Sequence, residues 1–357
     1  MFCSNPFNRL EIKADGSVYC CCEGWLPKSL GNILTDNLLA LWNGHVATEI
    51  RASILDGSFR YCTSCPFLPS KGETVVQKTP ADLASENRSR NWQALSTDLI
   101  QTLKLDYDQS CNLTCPSCRV VHSREFVDLP NIQRIHNATI DSGILKKTKE
   151  LYVTGSGDPF ASELYWEFLR SLPTLKYKTG MTLFLHTNGL LFDSQHWDLL
   201  GDTRVLVRGV GISVDAATEP TYKTNRGASW SKLWNNIKFI NSLQERGEKI
   251  TLGMFFTVQA NNFKEIIPFV QMAFNHNTSW ISLTALRNWG TYSDEEYRTR
   301  AVHLPTHPQY AEFKEMVSNP ILTDDRRIVL DSFNPEFVRQ SITINSKALL
   351  PASNLKR

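Results

Sequence analysis

At 357 residues the chain is long enough to bury one large core, or one core with a small satellite domain. Its 41% hydrophobic and 21% charged residues are ordinary for a globular protein, and a formal net charge of +2 leaves no basic footprint for a phosphate backbone, which makes nucleic acid a poor default partner. Apolar runs such as 252–258 are too short to cross a bilayer, and the first residues lack the charged-then-apolar order of a signal peptide, so the chain reads as cytoplasmic with no membrane partner.

In chain order, residues 1–69 form a cysteine-rich, turn-rich segment. The apolar stretches 10–12 and 18–20 flank Asp15-Gly16, a hairpin signal, and 36–54 carries the apolar spacing of one helix. Residues 70–98 are polar and interrupted, a linker with one short helix. From about 99 to 300 short apolar strands alternate with helical stretches. Strands are expected at 100–107, 150–153, 181–186, 210–214, 250–258 and 279–286, with helices near 123–147, 160–172, 194–200, 230–246 and 263–275. Six strand–helix units imply an α/β fold with a parallel sheet, a partial (β/α)6 barrel related to the eight-stranded TIM barrel. In such sheets chemistry gathers at the carboxyl ends of the strands. Residues 301–357 hold one expected helix at 309–317 and an apolar stretch at 327–333, with no role assigned.

The nine cysteines stand at 3, 20, 21, 22, 62, 65, 111, 115 and 118, all in the first third of the chain. An odd number crowded at short gaps points to metal or cluster ligation in a reducing compartment rather than to disulfides. Cys111, Cys115 and Cys118 fall in one eight-residue loop after the first expected strand of the alternating region. Three thiolates there are one short of the four that close a structural zinc or iron–sulfur site. A four-iron cluster held by three cysteines leaves one iron open to a small molecule.

This C-x3-C-x2-C spacing after a strand resembles the radical S-adenosylmethionine superfamily. The resemblance implies a [4Fe-4S] cluster whose open iron chelates S-adenosylmethionine, and reductive cleavage to methionine and a 5′-deoxyadenosyl radical. The next strand ends mirror it in order. Thr154-Gly-Ser-Gly-Asp-Pro159 is similar to the family's Gly-Gly-Glu-Pro segment, with Ser156 for a Gly and Asp158 for the Glu. His186-Thr-Asn-Gly189, Ser213-Val-Asp215 and Arg226 follow at matching places. The resemblance implies Gly155, Ser156, Gly157, Asp158, Asn188, Ser213, Asp215 and Arg226 as cofactor-binding residues. The residue before the third cysteine is often aromatic in the family and here is Ser117, so adenine must be held by other groups.

Cys3, the Cys20–Cys22 triplet after Asp15-Gly16, and Cys62-Thr-Ser-Cys65-Pro66 resemble the SPASM auxiliary-cluster domain or its shortened twitch form. Here that segment precedes the radical domain, a permutation of the usual order. The resemblance implies a second [4Fe-4S] cluster on Cys3, Cys62, Cys65 and one of the triplet, with Cys21 favoured by its distance from Val18. By spacing alone, zinc on the same four thiols is an equal reading.

The chemistry so implied is hydrogen-atom abstraction from a substrate carbon. The favoured outcome is net oxidation of a small polar metabolite, with an electron donor of flavodoxin or ferredoxin type. One alternative is a maturase that modifies a ribosomally made peptide. It is weakened by the cluster segment starting at Cys3, ahead of which no peptide-binding domain fits. The other alternative is a non-catalytic iron–sulfur or zinc interaction module. No cysteine follows Cys118, which disfavours radical epimerisation. If a general base is needed, His186 and Asp215 are the candidates by position.

Overall fold

Alternation of aliphatic with polar or aromatic residues builds the molecule around one sheet. The structure, a computed structural model, describes residues 3–63, 65, 68, 95–123, 127–153, 156–175, 177 and 179–331. Gly155, most of the expected linker and residues 332–357 lie outside the described residues. Among the described residues the ten strands are β1 (Arg9–Lys13), β2 (Ser17–Tyr19), β3 (Gly31–Asn32), β4 (Thr102–Asp106), β5 (Glu150–Val153), β6 (Thr182–Thr187), β7 (Val207–Ser213), β8 (Thr251–Val258), β9 (Thr278–Ala285) and β10 (Ile328–Asp331). Their spatial order is β10-β9-β8-β7-β6-β5-β4-β1-β2-β3. The pairs from β1 through β4 to β10 are parallel, while β2 pairs antiparallel with both β1 and β3. The fold is thus mixed α/β with a large parallel sheet.

The six expected strands of the alternating region are all present, each within three residues of its expected ends. One face of the sheet is aliphatic. Leu10, Ile12, Leu103, Leu105, Leu151, Leu183, Val210, Ile212, Leu252 and Leu283 are fully buried. The helices Leu129–Asp141, Glu163–Ser171, Trp230–Glu245 and Ile266–Phe274 contribute Ile135, Leu169, Ile237 and Phe269 to the same buried core. The other face carries Arg9, Lys13, Lys104, Tyr152, Phe184, His186, Ser213, Phe255 and Trp280, all half-buried. Glycines on β7 and β8 leave room for rings there: a Cβ on Gly209, Gly211 or Gly253 would stand 2.5, 2.6 or 2.0 Å from Phe184, Phe255 or Trp280.

The N-terminal segment contributes three strands to this same sheet. Leu10 pairs with Leu103 and Ile12 with Leu105, so β1 extends the parallel ladder beyond β4. The chain after β2 also reaches the far side of the sheet, because a Cβ on Gly24 would lie 1.8 Å from Nη1 of Arg287, just past β9.

The single helix expected over 36–54 is two, Leu38–Leu41 and His45–Leu55. Asn37 caps the first, and Gly44 opens the second in extended conformation with ψ 165°, so the turn between them interrupts an otherwise continuous apolar pattern. Two further helices had no apolar signal to announce them. Glu219–Arg226 buries only Tyr222 and Asn225, and Asp294–Arg300 is started by a capping box of Ser293 and Glu296. Among the described residues, no helix is long and apolar enough to cross a membrane.

Candidate cofactor site

The carboxyl ends of β4 to β7 meet at one cavity of about 100 Å³. The loop after β4 is built from backbone outward. Tyr165 Oη accepts from the backbone N–H groups of Tyr107 and Asp108 at 3.0 and 3.1 Å, which fixes where the loop leaves the strand. Asp108 accepts from Ser110 N at 2.8 Å and from the Ser162 hydroxyl. Ser123 Oγ then clasps Cys111, accepting from its N–H at 3.0 Å and donating to its carbonyl at 3.1 Å.

Cys111, Cys115 and Cys118 all line the cavity. Cys115 is buried, Cys111 half-buried and Cys118 exposed. Burial pushes the Cys111 thiol up to about 11 and raises that of Cys115 as well. Several groups donate to the sulfurs: Leu113 N to Cys111 at 3.4 Å, Asn188 Nδ2 to Cys111 at 3.8 Å, and Arg119 Nη2 to Cys118 at 3.4 Å. Such donors are the means by which a protein stabilises and tunes sulfur ligands of iron.

Arg119 was invisible to motif reasoning, because nothing about a basic residue after the third cysteine marks it. It is buried and ties three segments together, donating to Gln109 O at 2.9 Å and Ser156 O at 2.8 Å besides Cys118. Gly157 packs where a Cβ would stand 2.5 Å from Asp108 O and 2.6 Å from Ser110 O, so only glycine lets the loop after β5 lie on the cysteine loop.

Of the residues expected around the cofactor, Ser156, Gly157, Asn188, Ser213 and Arg226 line the cavity, together with His186. Asp158 does not. It is fully buried and accepts from Thr187 Oγ1 at 2.7 Å, Asn188 N at 2.8 Å and Phe160 N at 3.0 Å, so it braces the end of β6. Asp215 is also occupied behind the cavity wall. Its Oδ1 accepts from Thr257 N at 2.6 Å and its Oδ2 from Arg226 Nη1 at 3.1 Å, while its backbone takes a left-handed φ of 63°. That pairing aims Arg226, whose buried Nε has no hydrogen-bond partner among the described residues. An unsatisfied buried donor in a cavity wall is a place for a ligand acceptor.

His186 stacks on Phe255 at 4.3 Å, and its Nε2 shares a hydrogen bond of 2.9 Å with Ser213 Oγ. Burial first, then Lys104 and Arg226, lower its pKa to about 4, so it is neutral at physiological pH.

The other thiols gather at the N-terminal segment. Cys3 interacts electrostatically with Cys20, Cys21 and Cys62, and Cys20 and Cys21 are both buried. Burial raises Cys20 to about 12 and Cys62 to about 11. Cys65, the fourth expected ligand, is half-buried. The registry from Val18 favours Cys21, yet the structure turns Cys20 toward the same group. Beside Cys20 lies Arg51, 1% exposed, with neither Nη hydrogen-bonded among the described residues. Among the described residues, no three His, Cys, Asp or Glu side chains converge at single-metal spacing.

Residues 3–66 match SPASM, an iron–sulfur cluster-binding domain. No curated protein sequence matches the chain significantly. Among solved structures it is similar to Streptococcus suis SuiB bound to S-adenosylmethionine, with 16% identity, a TM-score of 0.42, and coverage of 85% of this chain and 65% of that one. It is also similar to TYW1 with a lysine-pyruvate adduct bound, with 17% identity, a TM-score of 0.37 and coverage of 62% and 71%. A third is anSMEcpe with bound AdoMet and Kp18Cys peptide, with 18% identity, a TM-score of 0.36 and coverage of 51% and 50%. The chain thus spans slightly less than two thirds of the SuiB chain.

Proposed function

We propose that the chain is a radical S-adenosylmethionine enzyme that oxidises a small polar metabolite, using electrons from a flavodoxin- or ferredoxin-type donor. The observation that carries this reading is the meeting of three thiols with Ser156, Gly157, Asn188, Ser213 and Arg226 around one cavity at successive strand ends. The meeting of the loop after β2 with Arg287 supports a sheet curled into a partial barrel about its polar face. Cys111, Cys115 and Cys118 would hold a four-iron cluster, and the sulfur-directed N–H donors fit that charge. When bound, the cluster and S-adenosylmethionine supply a 5′-deoxyadenosyl radical.

The chain's own residues do the positioning. Gly157 brings its backbone against the cysteine loop, and Arg119 locks that arrangement. Asp215 orients the Arg226 guanidinium, which offers its unused N–H to a carboxylate. Ser213 and the neutral His186 present a hydroxyl and a ring nitrogen to hydroxyl groups of the ligand. With its pKa near 4, His186 is a weak base, suited to accepting a hydrogen bond rather than storing a proton. In the SPASM segment, Cys3, Cys62, Cys65 and Cys20 or Cys21 would hold the second cluster. The idle Arg51 N–H groups fit the negative charge of such a group, and four protein ligands suit it to take up an electron.

Anaerobic reconstitution should give about eight irons per chain, one four-iron cluster for each ligand set. Reduction with dithionite in the presence of S-adenosylmethionine should release 5′-deoxyadenosine. The triple variant Cys111→Ala, Cys115→Ala, Cys118→Ala should release none, and turnover surviving in it would sink the proposal. A non-catalytic module would cleave no S-adenosylmethionine in either form.

A further inference from the structure

The polar face of the sheet carries a ladder of charges that the cofactor does not require. β1 supplies Arg9, Glu11 and Lys13, and β4 supplies Lys104 and Asp106, with Glu11 in register with Lys104 and Lys13 with Asp106. Most of these charges satisfy one another. Arg9 donates twice to Glu11 Oε1, at 2.9 and 2.6 Å, and Lys13 Nζ donates to Asp106 Oδ2 at 2.7 Å. Ser156 Oγ, from the wall of the cofactor cavity, donates to Asp106 Oδ1 at 2.9 Å.

Lys104 pairs with both carboxylates more loosely than Arg9 and Lys13 do. Its ammonium stands 3.5 Å from Asp106 Oδ2 and 3.8 Å from Glu11 Oε2, and it makes no hydrogen bond among the described residues. Its side chain is 22% exposed. The ladder nevertheless adjoins the chemistry, since Lys104 acts electrostatically on His186, which lines the cavity. Across β5, Lys104 is in register with Tyr152, whose ring stacks on Phe184 at 4.7 Å. Glu150, the next carboxylate, sits a row further from the cavity beside Thr102, which donates to it at 3.3 Å.

Burying two carboxylates among three half-buried cations on adjacent strands is expensive compared with apolar residues of the same size, so stability gives little reason to keep them. Three cations face two carboxylates in this ladder, so one positive charge is in surplus, and Lys104, which makes no hydrogen bond among the described residues, is the cation placed to meet a further oxyanion. We propose that Lys104 anchors the substrate by a carboxylate or phosphate group, placing the rest of the molecule along Tyr152 and Phe184 toward His186 and the cofactor cavity. This rests on the reading of that cavity as the S-adenosylmethionine site.

The test uses reconstituted protein saturated with S-adenosylmethionine, so that Arg226 is covered. Inorganic phosphate and acetate are titrated separately by calorimetry at low ionic strength. At least one should bind with a stoichiometry near one, phosphate marking a phosphorylated substrate and acetate a carboxylate. Lys104→Met should weaken that binding by about tenfold or more, the loss expected for charged hydrogen bonds, and Lys104→Arg should retain most of it. Lys238→Met, on the exposed side of the helix Trp230–Glu245, should leave it unchanged. Should Lys104→Met not fold, Lys104→Gln carries the same expectation. Binding of neither anion by the wild type, or equal binding by the Lys104 variants, overturns the proposal. Release of 5′-deoxyadenosine by the wild type is scored separately. Anion binding without it would remove the radical chemistry and leave the anion site, and the opposite pattern would do the reverse.

Discussion

The molecule holds two groups of thiols that share a chemistry and differ in enclosure. In the N-terminal group, Cys20 is 1% and Cys21 6% exposed, and Arg51, the cation beside Cys20, is buried with them over the ring of Trp42 at 4.2 Å. Cys3, Cys62 and Cys65 are half-buried. In the group after β4, three thiols share their cavity with Arg226, Asn188 and Ser213, and Cys118 is exposed. The difference teaches that ligand number and access go together. On the proposed ligand sets, four thiols packed against apolar side chains would complete their own group, while three thiols beside the unpartnered Nε of Arg226 would leave room for a second molecule.

The strongest way to break the comparison is to empty each site in turn. The triple cysteine variant in the β4 loop should lose about half of the iron and all 5′-deoxyadenosine formation. Cys3→Ala with Cys62→Ala should also lose about half of the iron yet still form 5′-deoxyadenosine under dithionite; both figures assume one four-iron cluster per ligand set. Equal loss of cleavage in both would mean that the two sites are not separable. Arg51→Met comes next. Removing a buried cation beside an anionic group costs several-fold in retention, so the N-terminal iron should be lost first under chelator, at a rate about tenfold faster than in the wild type. Iron counting against time checks this. Unchanged release would show that Arg51 serves packing against Trp42 alone.

Much of the open site was legible because its parts lie just after aliphatic strands. Leu103 and Leu105, Leu151 and Val153, and Leu183 and Leu185 announce β4, β5 and β6, and the unusual residues follow each of them. Two kinds of information were not legible. Asp158 and Asp215 sit in motif positions, but whether a carboxylate faces a ligand or its neighbours depends on donors such as Thr187 and Thr257, which come from other strands. The place of β1 was also hidden. Arg9, Glu11 and Lys13 look like the solvated side of a short hairpin, and only the non-local pairing with β4, across some ninety residues, turns that side into the polar face of the sheet. Local propensity carries no record of such pairings.

A smaller effect sharpens the role of the polar face through pH. The folded pKa of His186 is near 4, against 6.5 when exposed, so between these values the unfolded chain binds a proton that the native state does not. Stability should therefore fall as pH drops from about 6.5 to 4. The amount is about 2 kcal/mol once solvent in the cavity is allowed for. Urea denaturation of the cofactor-free protein across that range should show the slope, and His186→Gln should flatten it. An identical slope in the variant would assign it to other groups.

The smallest effect concerns how the two regions are joined. Asn43, between the two N-terminal helices, donates from Nδ2 to Leu95 O at 2.8 Å and accepts from Leu95 N at 2.9 Å. This reciprocal pair ties the SPASM segment to the chain entering β4, beside the longer seam of the β1–β4 ladder. Each hydrogen bond contributes about 0.5–1.5 kcal/mol net, so Asn43→Ala should cost about 1–2 kcal/mol. If the β1–β4 ladder carries the docking, the urea midpoint shifts with an unchanged slope, because the regions still unfold together. A split into two transitions would instead make the Asn43 clasp the main joint. The closed thiol site would then be a unit hung on the sheet, and the continuity of the ladder would count for little in holding it there.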